Sequence, residues 1–443
     1  MLAATPPMAP RRILPADLPP DSAFARRLVA HRPTARVTVD HDGSPVDAVA
    51  GEPLAVALLG AGTLTLARSV KYHRPRGAMC LRGDCDGCLV RLDGVPNVMA
   101  CQTPVRAGMV VQSQNAFPTA GLDVLRVTDW FFPKHLDHHH LLVQFGGALN
   151  RTMQVFARRM AGLGTLPDAV AALPRAELVT VDALVVGAGS SGVACANAIA
   201  RGGASVLLVD EREGPGGTRR DDPTDDAAYP GCDPAVTARY GAGAVATYED
   251  ETLLLHDGRG VSVRARARVF ATGCRESVGT FPQNDVPGVF TARACALALC
   301  HGVLCGERVV VVGDGPFARA LVAALGARVT HAPGAAVVEA LGGRAVRGAT
   351  LREGARTWRV KCDALVIDGE DSAAYELAGQ AGARVLWSDG RRCFVPESDA
   401  DGATNYTGVY VTGSLRWGRR APDARARDGA LTGARVLRDL EGR

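Results

Sequence analysis

The chain has 443 residues, 47% of them hydrophobic, enough for two or three domains with ordinary buried cores. Its 50 basic and 46 acidic residues nearly balance at a net charge of +4, and no stretch interleaves Lys and Arg with aromatic side chains, which argues against nucleic acid as a partner. Several of the twelve cysteines (Cys195, Cys295, Cys300) lie inside apolar patterns as reduced core thiols do, which points to the cytoplasm.

Residues 1–33, rich in Pro, Ala and Arg, read as a loose arm. No apolar run of signal-peptide length follows Arg11-Arg12, and later apolar stretches are broken by glycines and charge, so no membrane span is expected. Residues 34–120 form the first predicted domain. ARVTVDHDG and SPVDAVA read as a hairpin, EPLAVALLGAG as a short helix, and CLVRLDGVPNVMACQTPV as two strands around a turn. That order builds a β-grasp sheet. Within it stand four cysteines, Cys80-x4-Cys85-x2-Cys88-x12-Cys101, with Gly83 and Gly87 among them. A tight loop of three thiolates with a distant fourth is the plant-type ferredoxin spacing of a [2Fe-2S] cluster. A structural zinc site is the competing reading, but such sites usually take two CxxC or CxxH knuckles and this segment has one.

Residues 121–178 read as a connector with helical character from about His138 to Leu173. Trp130, Phe131 and Phe132 are packing anchors there, or a seat for a partner subunit. His135, His138, His139 and His140 do not read as a metal site, because consecutive histidines cannot all face one ion from a regular element.

From residue 179 the pattern changes to strand, glycine turn, helix and strand in ELVTVDALVVGAGSSGVACANAIARGGASVLLVDEREGPGG. Gly187 makes the tight turn, Gly189 admits a pyrophosphate, and Gly192 lets helix and strand pack, with Ser191 between them. The phosphates would face the positive end of the helix. An acid after the second strand binds a ribose hydroxyl; spacing favours Asp210, with Glu211 the other candidate. The alternative is that the glycines serve packing alone. A second fold, GERVVVVGDGPFARALVAALGARVTHA, repeats the plan with Gly313, Gly315 and Ala318, but no acid or basic pair follows its second strand. It is read either as an NAD(P) site or as a fold kept for packing. Arg319 and His331 are read as solvated surface.

Three later features, Gly217 after the second strand, the ATG turn of Ala271, Thr272 and Gly273, and Gly413-Ser414 in GVYVTGSLRWG, resemble the two-dinucleotide-binding-domain flavoproteins. That resemblance implies FAD in a domain of residues 179–300 and 390–443, interrupted by a nucleotide-binding insertion of residues 301–389. The fold class is thus multidomain α/β and α+β: a β-grasp [2Fe-2S] module, then a Rossmann-like flavoprotein fold. The final turn departs from the superfamily, which has Gly-Asp where this chain has Gly413-Ser414, and the stretch from Gly217 to Ala271 is short.

Together KYHRPRGAMCLRGDCDGC, PNVMAC, RRMAGLGTLPD, ATGCRE with FPQNDVPGVFTARA, GERVVVVGDGP and GVYVTGS resemble the α subunit of heterotetrameric sarcosine oxidase. They also resemble the larger subunits of opine, proline and cyanide-forming amino-acid dehydrogenases. The resemblance implies an electron-transfer subunit of a hetero-oligomer, with an amine or amino acid oxidised in an amino-acid-oxidase-like flavoprotein partner. The four cysteines and the end at Arg443 set it nearer the dehydrogenases than a folate-coupled oxidase. Two other readings are a self-contained NAD(P)H-dependent reductase and a degenerate flavoprotein scaffold that organises partners. No CxxC accompanies Cys232 or Cys274, and no catalytic residue is assigned.

Overall fold

The computed structural model describes residues 10–30, 35–69, 72–116, 118–124, 146–160, 175–217 and 231–442. Helix α1 (Ala23–Ala30) precedes a hairpin of β1 (Arg36–His41) and β2 (Ser44–Val49). The hairpin turns at Asp42-Gly43, both at positive φ, which is what a two-residue loop needs to match strand twist. Helix α2 (Leu54–Gly60) buries Leu54, Leu58 and Leu59 completely. A second Asp-Gly turn, Asp93-Gly94, joins β3 (Leu89–Leu92) to β4 (Val95–Met99), and β5 (Val110–Ser113) completes a five-stranded sheet. Its order is β2-β1-β5-β3-β4, with β1 and β5 parallel. The β-grasp expectation holds.

Of the connector, helix α3 (Gly147–Met160) is described; the aromatic anchors and the histidine run lie outside the described residues. The first nucleotide fold then runs β6 (Glu177–Val186), α4 (Ser190–Arg201), β7 (Val206–Asp210) and β8 (Thr237–Tyr240), its strands parallel. An antiparallel meander follows: β9 (Ala242–Tyr248), β10 (Glu251–His256) and β11 (Arg259–Phe270). Strand β11 is long enough to pair with β10 along one part and to run parallel to β6 up to Phe270.

The inserted segment carries β12 (Val289–Thr291), α5 (Ala292–Cys300), β13 (Val309–Val312), α6 (Pro316–Leu325) and β14 (Val329–Ala332). A three-stranded antiparallel sheet of β15 (Ala336–Gly342), β16 (Val346–Glu353) and β17 (Arg356–Lys361) leads into β18 (Ala364–Ile367). Strands β12, β18, β13 and β14 form a parallel four-stranded sheet in that order. After it come helix α7 (Glu376–Gln380), strand β19 (Val409–Val411) parallel to β11, α8 (Ser414–Trp417) and the long α9 (Pro422–Glu441).

Two compact units result: Met1–Asp168 with Val278–Gly369, and Ala169–Ser277 with Glu370–Arg443. The insertion thus opens before the expected residue 301 and closes before 389. The reason is strand pairing: β12 joins β18, whereas Asp371–Ala373 already pairs with Cys274–Glu276. Within the first unit one apolar core unites Leu58, Leu59, Val90 and Val111 of the β-grasp module with Leu299, Val303, Val309 and Leu321 of the insertion. In the second unit α9 packs on α4. A Cβ on Gly429 would overlap the Ser191 carbonyl, and one on Gly433 would stand 2.7 Å from the Cys195 carbonyl. Only glycine permits that approach. Among the described residues no helix is long and apolar enough to cross a membrane.

Candidate functional site

The cysteine loop lies between the short strand Pro75–Arg76 and β3, and the fourth cysteine follows β4 in a single 3-10 turn, Ala100–Gln102. Cys80, Cys88 and Cys101 are buried and Cys85 is half-buried. The thiols touch in a row: Cys85 meets Cys80, Cys80 meets Cys101, and Cys101 meets Cys88. Backbone N–H groups point at them. Arg82 donates to the Cys80 sulfur at 3.4 Å and Gly83 to the Cys101 sulfur at 3.2 Å. Hydrogen bonds from the Cys101 and Cys85 thiols, with the Arg82 and Asp84 amides, pull the Cys80 thiol well below its ordinary range, while the donating thiols of Cys101 and Cys85 rise. The amides of Arg82 and Gly83 are placed to stabilise negative charge on sulfur.

Backbone crowding enforces this loop. A Cβ on Gly87 would overlap the Gly77 carbonyl, and Gly83 has φ +81°. Leu81, buried, also adopts φ +53°, a conformation an L side chain seldom takes without surrounding structure to hold it. A row of thiols in pairwise contact suits a cluster with two irons better than one zinc ion.

In the first nucleotide fold the glycines divide their tasks. A Cβ on Gly187, which has φ +104°, would overlap the Ala271 carbonyl, and one on Gly192 would overlap the carbonyl of Gly187. Gly189, the residue before α4, has nothing within 4 Å of the Cβ position, so space lies in front of the helix end. Ser190 Oγ is buried there with no hydrogen-bond partner. Ser191 is buried, and the Cβ position of Gly413, at φ +71°, falls on its hydroxyl. Gly217 closes the turn from the other side, its Cβ position 2.9 Å from Gly189 Cα. An open helix N-terminus with an orphan hydroxyl fits a pyrophosphate.

Asp210 has a different task from the one favoured by spacing. Its carboxylate accepts the N–H of Ala188 at 2.6 Å and that of Arg212 at 2.9 Å, so it braces the glycine turn from beneath. Glu211, the other candidate, is exposed. At the ATG turn, Thr272 donates its hydroxyl to the Ala374 carbonyl at 2.7 Å, and Gly273, at φ +77°, faces open space. Cys274 beside it donates its thiol to the Ser414 carbonyl at 2.9 Å, and burial pushes its pKa up to about 12, so it is no thiolate nucleophile.

Sequence reasoning missed Asp428. From α9 its carboxylate accepts four donors: Thr412 Oγ1 at 2.9 Å, Gly413 N–H at 2.6 Å, Arg416 Nη1 at 2.9 Å and Trp417 Nε1 at 2.9 Å. The turn that lacks the usual aspartate at Ser414 is thus held by an acid from a later helix. Its sequence signal was the spacing Gly429-x3-Gly433 immediately after it, a pattern for close helix packing.

The second fold keeps the turn and alters its front. Gly313 has φ +98°, and the Cβ position of Gly315 is overlapped by the carboxylate of Asp368. His331 Nε2 lies 3.0 Å from the Gly313 carbonyl and is half-buried, whereas Arg319 stays exposed at the surface, paired with Asp314 at 3.3 Å.

Residues 34–116 match the family described as a 2Fe-2S iron-sulfur cluster binding domain, and residues 185–257 match an NAD(P)-binding Rossmann-like domain. Over 437 residues, 84% of this chain, the sequence is 27% identical to sarcosine oxidase subunit alpha of Rhizobium meliloti. Along most of its length the chain is thus similar to sarcosine oxidase α subunits. It spans 44% of that relative's length. Over 81 residues, 18% of this chain and 77% of that one, it is 42% identical to the hydrogen cyanide synthase subunit HcnA of Pseudomonas aeruginosa. The crystal structure of L-proline dehydrogenase from P. horikoshii aligns with a TM-score of 0.68 at 20% identity, over 92% of this chain and 74% of that one. At that identity the likeness is one of fold.

Proposed function

We propose that the chain is the electron-transfer α-type subunit of a multi-subunit amine or amino-acid dehydrogenase, holding a [2Fe-2S] cluster on Cys80, Cys85, Cys88 and Cys101 and FAD in the first nucleotide fold. The single observation that carries the reading is the loop of four contacting thiols with backbone N–H groups directed at sulfur, joined in one polypeptide to an open glycine turn. When bound, a flavin accepts two electrons as a hydride equivalent and releases them singly, whereas a [2Fe-2S] cluster carries one at a time.

The chain's own residues position and charge-balance these groups. The N-terminus of α4 directs its free N–H groups at the pyrophosphate across Gly189, and Ser190 Oγ donates to a phosphate oxygen that satisfies it. Glu211 accepts the ribose hydroxyls while Asp210 keeps the turn rigid. Gly217, Ala271, Thr272 and Gly273 line the approach. Gly413 and Ser414, held by Asp428, close the far side with a neutral hydroxyl in place of a carboxylate. Around the cluster, the amides of Arg82 and Gly83 hold negative charge on sulfur and so favour the oxidised state less strongly than bare thiolates would.

Substrate oxidation belongs, in this reading, to an amino-acid-oxidase-like partner in a hetero-oligomer, which the subunit designations of the relatives support. None of the twelve cysteines, all among the described residues, is in a disulfide, which supports a reducing, cytoplasmic setting. In this reading the cluster domain is taken as 34–120, the connector as 121–178 and the nucleotide folds as 179–443.

Absorption and EPR spectra before and after dithionite test this. The expected result is flavin bands with a rhombic signal from the reduced cluster, the signal being lost in Cys85→Ser. Stoichiometric zinc without iron overturns the cluster, and protein that takes up no flavin overturns the first-fold assignment.

A further inference from the structure

The two nucleotide folds of this chain match position for position at the glycine turn. In the first, β11 ends at Phe270, the next residue Ala271 donates its N–H to Val186 O at 2.8 Å, and its carbonyl blocks the Cβ position of Gly187. In the second, β18 ends at Ile367, the next residue Asp368 donates its N–H to Val312 O at 2.9 Å, and its carbonyl blocks the Cβ position of Gly313. Ala271 and Asp368 are therefore the same structural position. Their side chains differ in what they do to the space ahead.

Ala271 ends in a methyl group, and the front of Gly189 is open. Asp368 extends a carboxylate across the corresponding glycine: its Oδ2, Cγ and Oδ1 all lie within 3 Å of the Cβ position of Gly315. The same carboxylate accepts the N–H of Ala318, the third residue of α6, at 3.3 Å. The helix end that would receive a pyrophosphate already holds a negative group of the chain's own, in the place where an incoming phosphate would have to stand. Pro316 at the first position of α6 removes one further N–H donor. Strand β14 ends at Ala332 with no acid beyond it to take a ribose.

We propose that Asp368 seals the second nucleotide fold: the carboxylate is a built-in occupant of the anion site, so that the fold binds no nicotinamide dinucleotide and serves as a brace for the cluster module. Like charge and overlap act together, since two phosphate charges cannot be brought beside a carboxylate without strong repulsion. This chain is then not its own NAD(P)H reductase, and two-electron input comes from elsewhere. The inference rests on the second fold's geometry and stands apart from the assignment of FAD and the cluster.

The test is titration of the full-length protein with NADH and, separately, with ADP, followed by calorimetry, with FAD in excess so that the first fold is filled. The expected result is no saturable binding of either by the wild type at millimolar concentration, and ADP binding at least about tenfold tighter in Asp368→Ala, which restores the side chain found at residue 271. Should the alanine variant lose its cluster absorbance, Asp368→Ser, which removes both the charge and the reach of the side chain, carries the same comparison. Micromolar NADH binding by the wild type overturns the proposal whatever the variants do. A folded variant that gains no affinity for ADP overturns it as well. Cluster and flavin spectra recorded on the same samples report separately on the proposed function.

Discussion

The Gly413 N–H donates to the Asp428 carboxylate at 2.6 Å, so a turn beside the first glycine motif is fixed by a residue from the last helix. Asp428 takes Thr412, Arg416 and Trp417 at the same time. Replacing it with Ala leaves the buried Arg416 without one of its acceptors, at a cost of about 2 to 3 kcal/mol. The expected outcome for Asp428→Ala is a lower melting temperature and less flavin retained per chain, read from the ratio of flavin to protein absorbance. Cluster content should stay unchanged.

The correspondence of Ala271 and Asp368 can be tested from the other side. Ala271→Asp would carry into the first fold the carboxylate that fills the second, and flavin affinity should fall by about a hundredfold or more through repulsion of the pyrophosphate. Iron content should hold. In the second fold, loss of the Ala318 acceptor in Asp368→Ala should cost about 1 kcal/mol of stability, as lost helix caps do. Calorimetric melting of both variants checks the pair.

Gly87 offers a test of the thiol loop that leaves every ligand in place. Its Cβ would overlap the Gly77 carbonyl, so Gly87→Ala must displace the loop between Cys85 and Cys88. Iron per chain is expected to fall well below that of the wild type, with the flavin bands retained. Full iron occupancy in this variant would count against the tight backbone fit.

Contact between α4 and α9 depends on Gly429 and Gly433. Gly433→Val places a branched side chain against the Cys195 carbonyl and Ala198, an overpacking that costs about 1 to 3 kcal/mol. Because α4 carries the open turn at its N-terminus, flavin dissociation should quicken along with the loss of stability. Stopped dilution of the flavin-loaded protein measures the first, and denaturant titration the second.

Local features were legible in the sequence because their partners are near in the chain. The hairpin around Asp42-Gly43, the helix Leu54–Gly60 and the strands flanking Asp93-Gly94 follow from residue period and turn chemistry alone. Cys80, Cys85 and Cys88 lie in one loop, so their spacing announces it. The turn at Gly187 declares itself by the same route. What escaped depends on tertiary approach. Asp428 meets Gly413 only once α9 folds back, Asp368 meets Gly315 only once β18 lies beside β13, and the backbone duty of Asp210 follows from how Ala188 is presented to it. The opening of the insertion at Val278 was likewise hidden, since β12 finds its neighbour β18 far along the chain.

The shared core of the first unit has a consequence for biosynthesis. Leu58, Leu59 and Val90 emerge from the ribosome early, but the residues that cover them, Leu299, Val303 and Leu321, are made only after the whole segment Ala169–Ser277. The N-terminal module must wait, its greasy face bare, until the insertion arrives. Metal loading before that moment would take place on a half-clothed domain, and a pause in translation between the two stretches would be the interval at which a nascent chain is most in need of a chaperone.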